Sequence, residues 1–205
     1  IFSFHPIKNI TTGEGGMITH SDDELENRLR LLRFHGIERD AWKRYGKGGN
    51  PNYDILGPGF KYNLTDIQAA LGLAQLSRLK ELNRRRSVLA RLYAEGLTGV
   101  EGLDLPGVPS YPHIHAWHLF VIKVTSMARE RLMQRLSDFQ IGYGIHFPAG
   151  HCLGYIRDRY QVEKAELKET ERANARLLSL PLFPDMKDED VSYVCEAIRE
   201  ILKNG

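Results

Sequence analysis

Cysteine is scarce in this 205-residue chain, where Cys152 and Cys195 make up the whole complement. Neither sits in a C-x-x-C or Cys/His ligand spacing, so nothing supports a disulfide scaffold or a zinc finger. A reduced, cytoplasmic protein is the expectation. Long apolar runs are lacking too. The most apolar stretch, Trp117 to Val124, is far shorter than the ~20 residues of a membrane helix, so no membrane insertion is expected. The first residues, Ile-Phe-Ser-Phe-His-Pro, put no charged leader ahead of an apolar core, and no signal peptide is expected. An apolar strand pattern at the very start, without Met, suggests a beginning inside a larger fold. Charge of one sign is also missing. The 28 Lys+Arg against 26 Asp+Glu leave a net charge of +2, which gives no footprint for nucleic acid or an anionic membrane surface. Internal repeats and low-complexity tracts are absent. The remaining 42% hydrophobic and 26% charged content is that of an ordinary globular protein.

Patterning predicts a mixed α and β chain in two pieces. Residues 1–5 read as a strand, and Met17 to Thr19 can return as its hairpin partner across the turn-rich Thr11-Thr12-Gly13-Glu14-Gly15-Gly16. Ser21-Asp22-Asp23-Glu24 has capping-box spacing ahead of Leu25, Leu29 and Leu32, a helix ending at Gly36. Ile37 to Gly59 is polar and rich in Gly, Pro and Asn, and reads as a long loop. Thr65-Asp66-Ile67-Gln68 opens the longest helix pattern, with Ile67, Leu71, Ala74, Leu79, Leu82, Leu89 and Leu92 on its apolar face. The charged run Lys80 to Arg86 marks a boundary between residues 1–84 and a small domain at 85–205. In the latter, Trp117 to Val124 and Ile141 to Phe147 read as strands. Met127 to Phe139, the region around Leu167 to Leu178, and a last segment carrying Val191, Val194, Ile198 and Ile201 read as helices.

Lys8 is the first candidate for chemistry. A lysine between an apolar strand and a glycine-rich turn is held on a short approach, partly shielded from water. Such shielding disfavours the ammonium and frees the amine to form an imine with a carbonyl. On pattern alone, a lysine beside a turn is more often solvated than catalytic. Its neighbours change the balance. Ser3-Phe4-His5-Pro6-Ile7-Lys8-Asn9 with the following Thr-Thr-Gly-Glu-Gly-Gly resembles the cofactor-lysine segment of the pyridoxal-phosphate (PLP) dependent DegT/StrS sugar-nucleotide aminotransferases. Four further blocks resemble the family in order. They are Gly59-Phe60-Lys61-Tyr62-Asn63-Leu64-Thr65-Asp66-Ile67-Gln68-Ala69-Ala70, His113-Ile114-His115-Ala116-Trp117-His118-Leu119-Phe120, Ile145-His146-Phe147 with His151, and Ser179-Leu180-Pro181-Leu182-Phe183-Pro184.

The resemblance implies an aspartate-aminotransferase-type fold (fold type I), of which this chain would hold the end of the large α/β domain and the complete small C-terminal α/β domain. It implies that Lys8 carries PLP and shuttles the proton at the substrate carbon. Ser3 would bond the PLP phosphate. Lys61 and Asn63 would reach towards the phosphate in the site of a second subunit of a homodimer, and His146 would contact the sugar substrate. Glutamate would give the amine, leaving 2-oxoglutarate, and a keto group on a nucleotide-linked sugar would receive it. Lys61 followed by Asn63 departs from the commoner Asn-then-Arg order and is similar to the members that make an amino-arabinose nucleotide.

Other readings stand beside these. Ser3 can serve the strand backbone, Asn63 suits turn chemistry ahead of Thr65, and His146 suits a buried structural role. His113, His115 and His118 invite a metal, but their spacing fits no standard ligand set, and none is expected. The Gly13–Gly16 turn lacks the lysine of a P-loop. A PLP-dependent sugar dehydratase and a non-catalytic oligomerising module are the alternatives. Because the family's ring-pairing carboxylate and stacking aromatic come from its N-terminal half, the isolated chain is expected to have little or no transaminase activity.

Overall fold

The computed structural model describes residues 1–37, 52–161 and 164–204. The chain divides into two units, Ile1–Leu79 and Lys80–Gly205.

The first unit opens with a short antiparallel pair, β1 (Phe2–Ser3) and β2 (Gly16–Met17), in the register Phe2↔Met17 and Ser3↔Gly16. The expected hairpin is therefore present, though shorter than its apolar pattern suggested. Helix α1 (Asp23–Leu32) is capped by Asp22, whose carboxylate accepts from the Glu24 and Leu25 amides at 2.9 and 3.0 Å. The cap thus lies one residue beyond the Ser21 that the spacing favoured. The chain leaves α1 through His35 and Gly36, both with positive φ. A Cβ on Gly36 would stand 2.0 Å from the Gly57 carbonyl oxygen, so this close backbone crossing requires glycine. Most of the loop expected from Ile37 to Gly59 lies outside the described residues.

Helix α2 (Asp66–Leu97) starts at the capping box read from the sequence. The Thr65 amide donates to Gln68 Oε1 at 3.0 Å, and the Gln68 amide to Thr65 Oγ1 at 3.3 Å. The helix does not bury one continuous stripe. Ile67 is 85% exposed while Leu89 is 0% exposed, and its buried residues are Arg86, Leu89, Ala90, Tyr93 and Leu97.

The second unit is built on a three-stranded antiparallel sheet, ordered β3 (Leu103–Asp104), β4 (Phe120–Val124), β5 (Leu177–Leu180). Phe120, Ile122 and Val124 alternate into the core from β4, as the two-residue period of a strand requires. Helices α3 (Arg129–Asp138) and α6 (Asp188–Lys203) supply Leu132, Leu136, Val191, Val194, Ile198 and Ile201 to the same core, which Leu89, Tyr93 and Leu97 of α2 complete. Between α3 and β5 lie a 3-10 turn (Gly150–Cys152), α4 (Gly154–Tyr160), a second 3-10 turn (Lys164–Leu167) and α5 (Lys168–Asn174).

Two expectations change here. Leu177 and Leu178, read as the end of a helix, begin β5, because pairing with β4 and burial of Leu178 and Leu180 outweigh local propensity. Ile141 to Phe147, read as a strand, contributes a single bridge, Gly144↔Ser179. Glycines at 142 and 144 weaken any longer ladder.

Candidate active site

Lys8 stands on a loop clasped at Phe4. The Phe4 amide donates to the Gly15 carbonyl at 2.9 Å, and the Thr12 amide and Thr11 hydroxyl donate to the Phe4 carbonyl at 3.1 and 3.0 Å. Inside the clasp, His5-Pro6-Ile7-Lys8 closes a turn in which the Lys8 amide donates to the His5 carbonyl at 3.0 Å. The His5 amide in turn donates to Ser3 Oγ at 3.4 Å, so Ser3 and Lys8 are joined through His5. Lys8 is half-buried and Ser3 exposed.

The clasp is itself anchored. Thr12, only 3% exposed, donates to the Glu14 carbonyl at 2.7 Å, and Gln68 Nε2 reaches the same carbonyl at 2.9 Å from the first turn of α2. Gly15 has φ +150, and a Cβ there would meet Thr12 Oγ1 at 2.5 Å and Leu64 Cδ1 at 3.1 Å. The lysine therefore rides on a loop whose far side is fitted to the start of the long helix. Gln68 was visible in the sequence only as a capping residue. Its second role, across 54 positions of chain, carries no local signal.

Lys61 lies on a segment paired to the end of α1 through the bridge Phe34↔Lys61 and the bond from the Tyr62 amide to the Arg33 carbonyl at 2.8 Å. Its Nζ stands 4.3 Å over the Phe34 ring, a cation–π contact that holds the charge on an exposed surface. Asn63 is half-buried, just ahead of the Thr65 cap. Lys8, Ser3, Lys61 and Asn63 thus belong to the first unit, all close along the chain to the β1–β2 pair or the start of α2.

His146 belongs to the second unit. Its Nδ1 lies 2.9 Å from the hydroxyl of Ser179, a buried residue of β5. The bridge at Gly144 and Ser179 fixes the backbone beneath it, through bonds of 3.0 and 2.8 Å. Gly144 also makes room for the ring, since a Cβ there would stand 2.4 Å from His146 Cε1. With Nδ1 engaged, Nε2 is the nitrogen left to meet a sugar hydroxyl or a phosphate. The ring borders a cavity of about 200 Å³ that Arg129, Phe147, Thr170, Asn174 and Ser179 also line. Ser179 escaped the sequence reading because it sat in a block matched for its prolines and leucines. Arg129 was not singled out in the sequence.

The histidines weighed as metal ligands are engaged locally. Nδ1 of His113 is 2.9 Å from the Tyr111 carbonyl, and the Trp117 amide donates to His115 Nδ1 at 2.8 Å. Among the described residues they do not converge with His118 on one point.

A model of the DegT/DnrJ/EryC1/StrS aminotransferase family matches residues 1–199. The chain overlays on a Streptococcus pneumoniae protein described as a sugar aminotransferase, in its PMP form, with a TM-score of 0.87 and 26% sequence identity, covering 99% of this chain and 52% of that one. It overlays on S. venezuelae DesV in complex with a ketimine intermediate with a TM-score of 0.85 and 30% identity, covering 98% and 51%. Helicobacter pylori PseC, an aminotransferase involved in the biosynthesis of pseudoaminic acid, overlays with a TM-score of 0.88 over 100% of this chain and 53% of that one. At 24% identity that likeness concerns the fold alone. The chain spans about half the length of each of these proteins. The aspartate-aminotransferase-type α/β architecture expected from the sequence is the one these overlays share.

Proposed function

The chain belongs to the DegT/DnrJ/EryC1/StrS aminotransferase family, and from that premise we propose that it forms the lysine-bearing part of a PLP-dependent sugar aminotransferase. The observation that carries the proposal is the setting of Lys8, on a turn inside a loop clasped at Phe4 and braced by Gln68 from α2. Such a mounting fixes the backbone from which one amine is presented, and covalent catalysis needs a positioned amine.

The donor set suits a phosphate-bearing aldehyde. Lys8 offers the amine, Ser3 a hydroxyl two hydrogen bonds away along the same loop, and Lys61 with Asn63 a cation and an amide. When bound, PLP supplies an electron sink for negative charge developing at the amine-bearing carbon. Lys8 Nζ would hold the cofactor, and its amine would take the proton from the substrate carbon and later return it. Ser3 Oγ would donate to the phosphate and so help to hold the cofactor beside Lys8. His146, steadied by Ser179, donates from Nε2 to the sugar or its nucleotide.

Glutamate is the proposed donor and a nucleotide-linked keto-sugar the acceptor. Amine donor and acceptor occupy the same amine-transferring site in turn, so ping-pong kinetics follow. The Lys61-then-Asn63 order favours an amino-arabinose nucleotide as the product. In a homodimer, Lys61 and Asn63 serve the second subunit's phosphate. Among the described residues no helix is long and apolar enough to cross a membrane, and the two free cysteines suit a reducing cytoplasm. The 205-residue chain alone is proposed to turn over no keto-sugar, because the rest of the cofactor cup lies in the half that its relatives carry in addition.

The test is Lys8→Ala in the complete protein. The variant should lose both the absorbance of covalently held cofactor and the glutamate-dependent amination of the keto-sugar. Retention of that absorbance overturns the role of Lys8. Release of water from the sugar without consumption of glutamate overturns the transamination reading in favour of dehydration.

A further inference from the structure

Away from Lys8 and His146, three side chains of different chemistry converge, of which only His151 belongs to a family-like block. His151 and Cys152 come from the 3-10 turn Gly150–Cys152, and Glu171 comes from α5. Their ligand atoms Nε2, Sγ and Oε1 all lie within 4.8 Å of one another. We propose that His151, Cys152 and Glu171 form a binding site for a divalent cation of the zinc class.

Zinc takes imidazole nitrogen and carboxylate oxygen at about 2.0–2.2 Å and thiolate sulfur at about 2.3 Å, in tetrahedral array. Those lengths place a sulfur and a nitrogen ligand about 3.6 Å apart, and a sulfur and an oxygen ligand about 3.6 Å apart. Here Cys152 Sγ stands 3.6 Å from His151 Nε2 and 3.4 Å from Glu171 Oε1. Two of the three ligand–ligand edges therefore already have the length a bound cation requires. The third is a direct hydrogen bond between His151 Nε2 and Glu171 Oε1, which opens by a rotation of the carboxylate to admit the ion. The Glu171 side chain is 30% exposed, whereas the His151 side chain is 6% exposed.

The frame is prepared in advance. The Ala149 amide donates to Asn174 Oδ1 at 2.9 Å, tying the turn to α5. The Cys152 amide donates to the Ala149 carbonyl at 2.9 Å, so the two adjacent ligands are set by the turn itself. A ligand set held in this way loses little freedom on binding. A thiolate with an imidazole selects zinc or its softer neighbours over magnesium and calcium, which want six or more oxygen ligands. Three protein atoms leave the fourth tetrahedral position to water, as in exchangeable zinc sites. An ion here cross-links the turn to α5, and the turn continues the segment that carries His146.

The complete protein would be titrated with Zn²⁺ against a chromophoric chelator, and with Co²⁺ followed by difference absorbance. One equivalent of Zn²⁺ should bind, and the Co²⁺ form should show a sulfur-to-metal band with the visible bands of tetrahedral cobalt. Cys152→Ser should erase the sulfur band and weaken Zn²⁺ binding at least tenfold. Glu171→Gln should weaken binding at least tenfold with the sulfur band retained, and Cys195→Ala should change neither. Absence of stoichiometric binding in the parent protein overturns the site, as does a sulfur band that survives Cys152→Ser.

Discussion

Arg86 is the one charged residue of α2 that is buried, and replacing it by Met should cost the second unit about 3 kcal/mol. Its guanidinium Nη1 lies 2.9 Å from the Leu182 carbonyl and 3.2 Å from the carbonyls of both Trp117 and His118. The residue is 5% exposed, and burial lowers its pKa below the ordinary arginine value. Hydrogen bonds from a charged donor contribute about 1.5–3 kcal/mol each, which puts the gross loss well above 4 kcal/mol. Against that stands the desolvation of the cation, with Nε left unpartnered, a cost of several kcal/mol that Met does not carry. Met would relieve the desolvation but leave up to three carbonyl groups short of a donor at about 1–3 kcal/mol each. The balance is a net loss of about 3 kcal/mol, and a melting temperature lower by about 10 °C for a unit of this size. Arg86→Lys should lose about 2 kcal/mol, since the shorter lysine stem does not carry its nitrogen to the point where Nη1 meets the three carbonyls. Urea denaturation followed by far-UV circular dichroism measures both. A loss under about 1 kcal/mol for the Met variant would refute the reasoning, because the three carbonyls would then be satisfied without the arginine.

Alkaline pH should destabilise the second unit. Burial pushes the Cys195 thiol up from 9.0 to about 11, with Glu196 adding to the rise and Arg199 opposing it, and burial likewise raises Tyr93 above its ordinary value. A thiol that holds its proton more tightly when folded leaves stability intact below pH 9 and drains it as pH climbs towards 11, by about 2 kcal/mol. Denaturation midpoints across that range should fall less steeply in Cys195→Ala, and an unchanged slope would exclude the thiol as the cause. Ser179→Ala should free the His146 ring, costing about 1 kcal/mol of stability and, in the complete protein, raising KM for the proposed keto-sugar acceptor with little change in that for the proposed glutamate donor. Steady-state kinetics with each substrate varied in turn would detect equal effects on both, which would argue against a sugar-side role for His146.

What could be read in advance was local. Thr65 and Gln68 announced the start of α2 because a capping box is a four-residue device whose partners are neighbours in sequence. Val191, Val194, Ile198 and Ile201 announced α6 because its buried face repeats with the helix itself. Lys8 drew notice from the apolar strand before it and the glycine-rich turn after it. What could not be read depended on residues far apart in the chain. Ile67 sits in the same apolar pattern as Leu89, yet only the second has a sheet to cover it within its own unit. Leu177 to Leu180 form a strand because Phe120 to Lys123 lie ready to pair with them.

The two candidate sites divide along the same line. Lys8 is held by bonds within sixteen residues and by one contact from α2, so its surroundings were partly legible. His146 depends on Ser179 across 33 positions, and His151 depends on Glu171 across 20. Both distant partners lie on the α5–β5 stretch, which the helical pattern misread at Leu177 and Leu178. The strand assignment therefore has a functional consequence. If residues 177–180 were helical, Ser179 could not exchange two backbone bonds with Gly144, and His146 would have no fixed hydrogen-bond partner for its ring. The position of the His146 imidazole then rests on a strand that exists through pairing rather than propensity, so substitutions in β4 that weaken that pairing should disturb His146 before they unfold the unit.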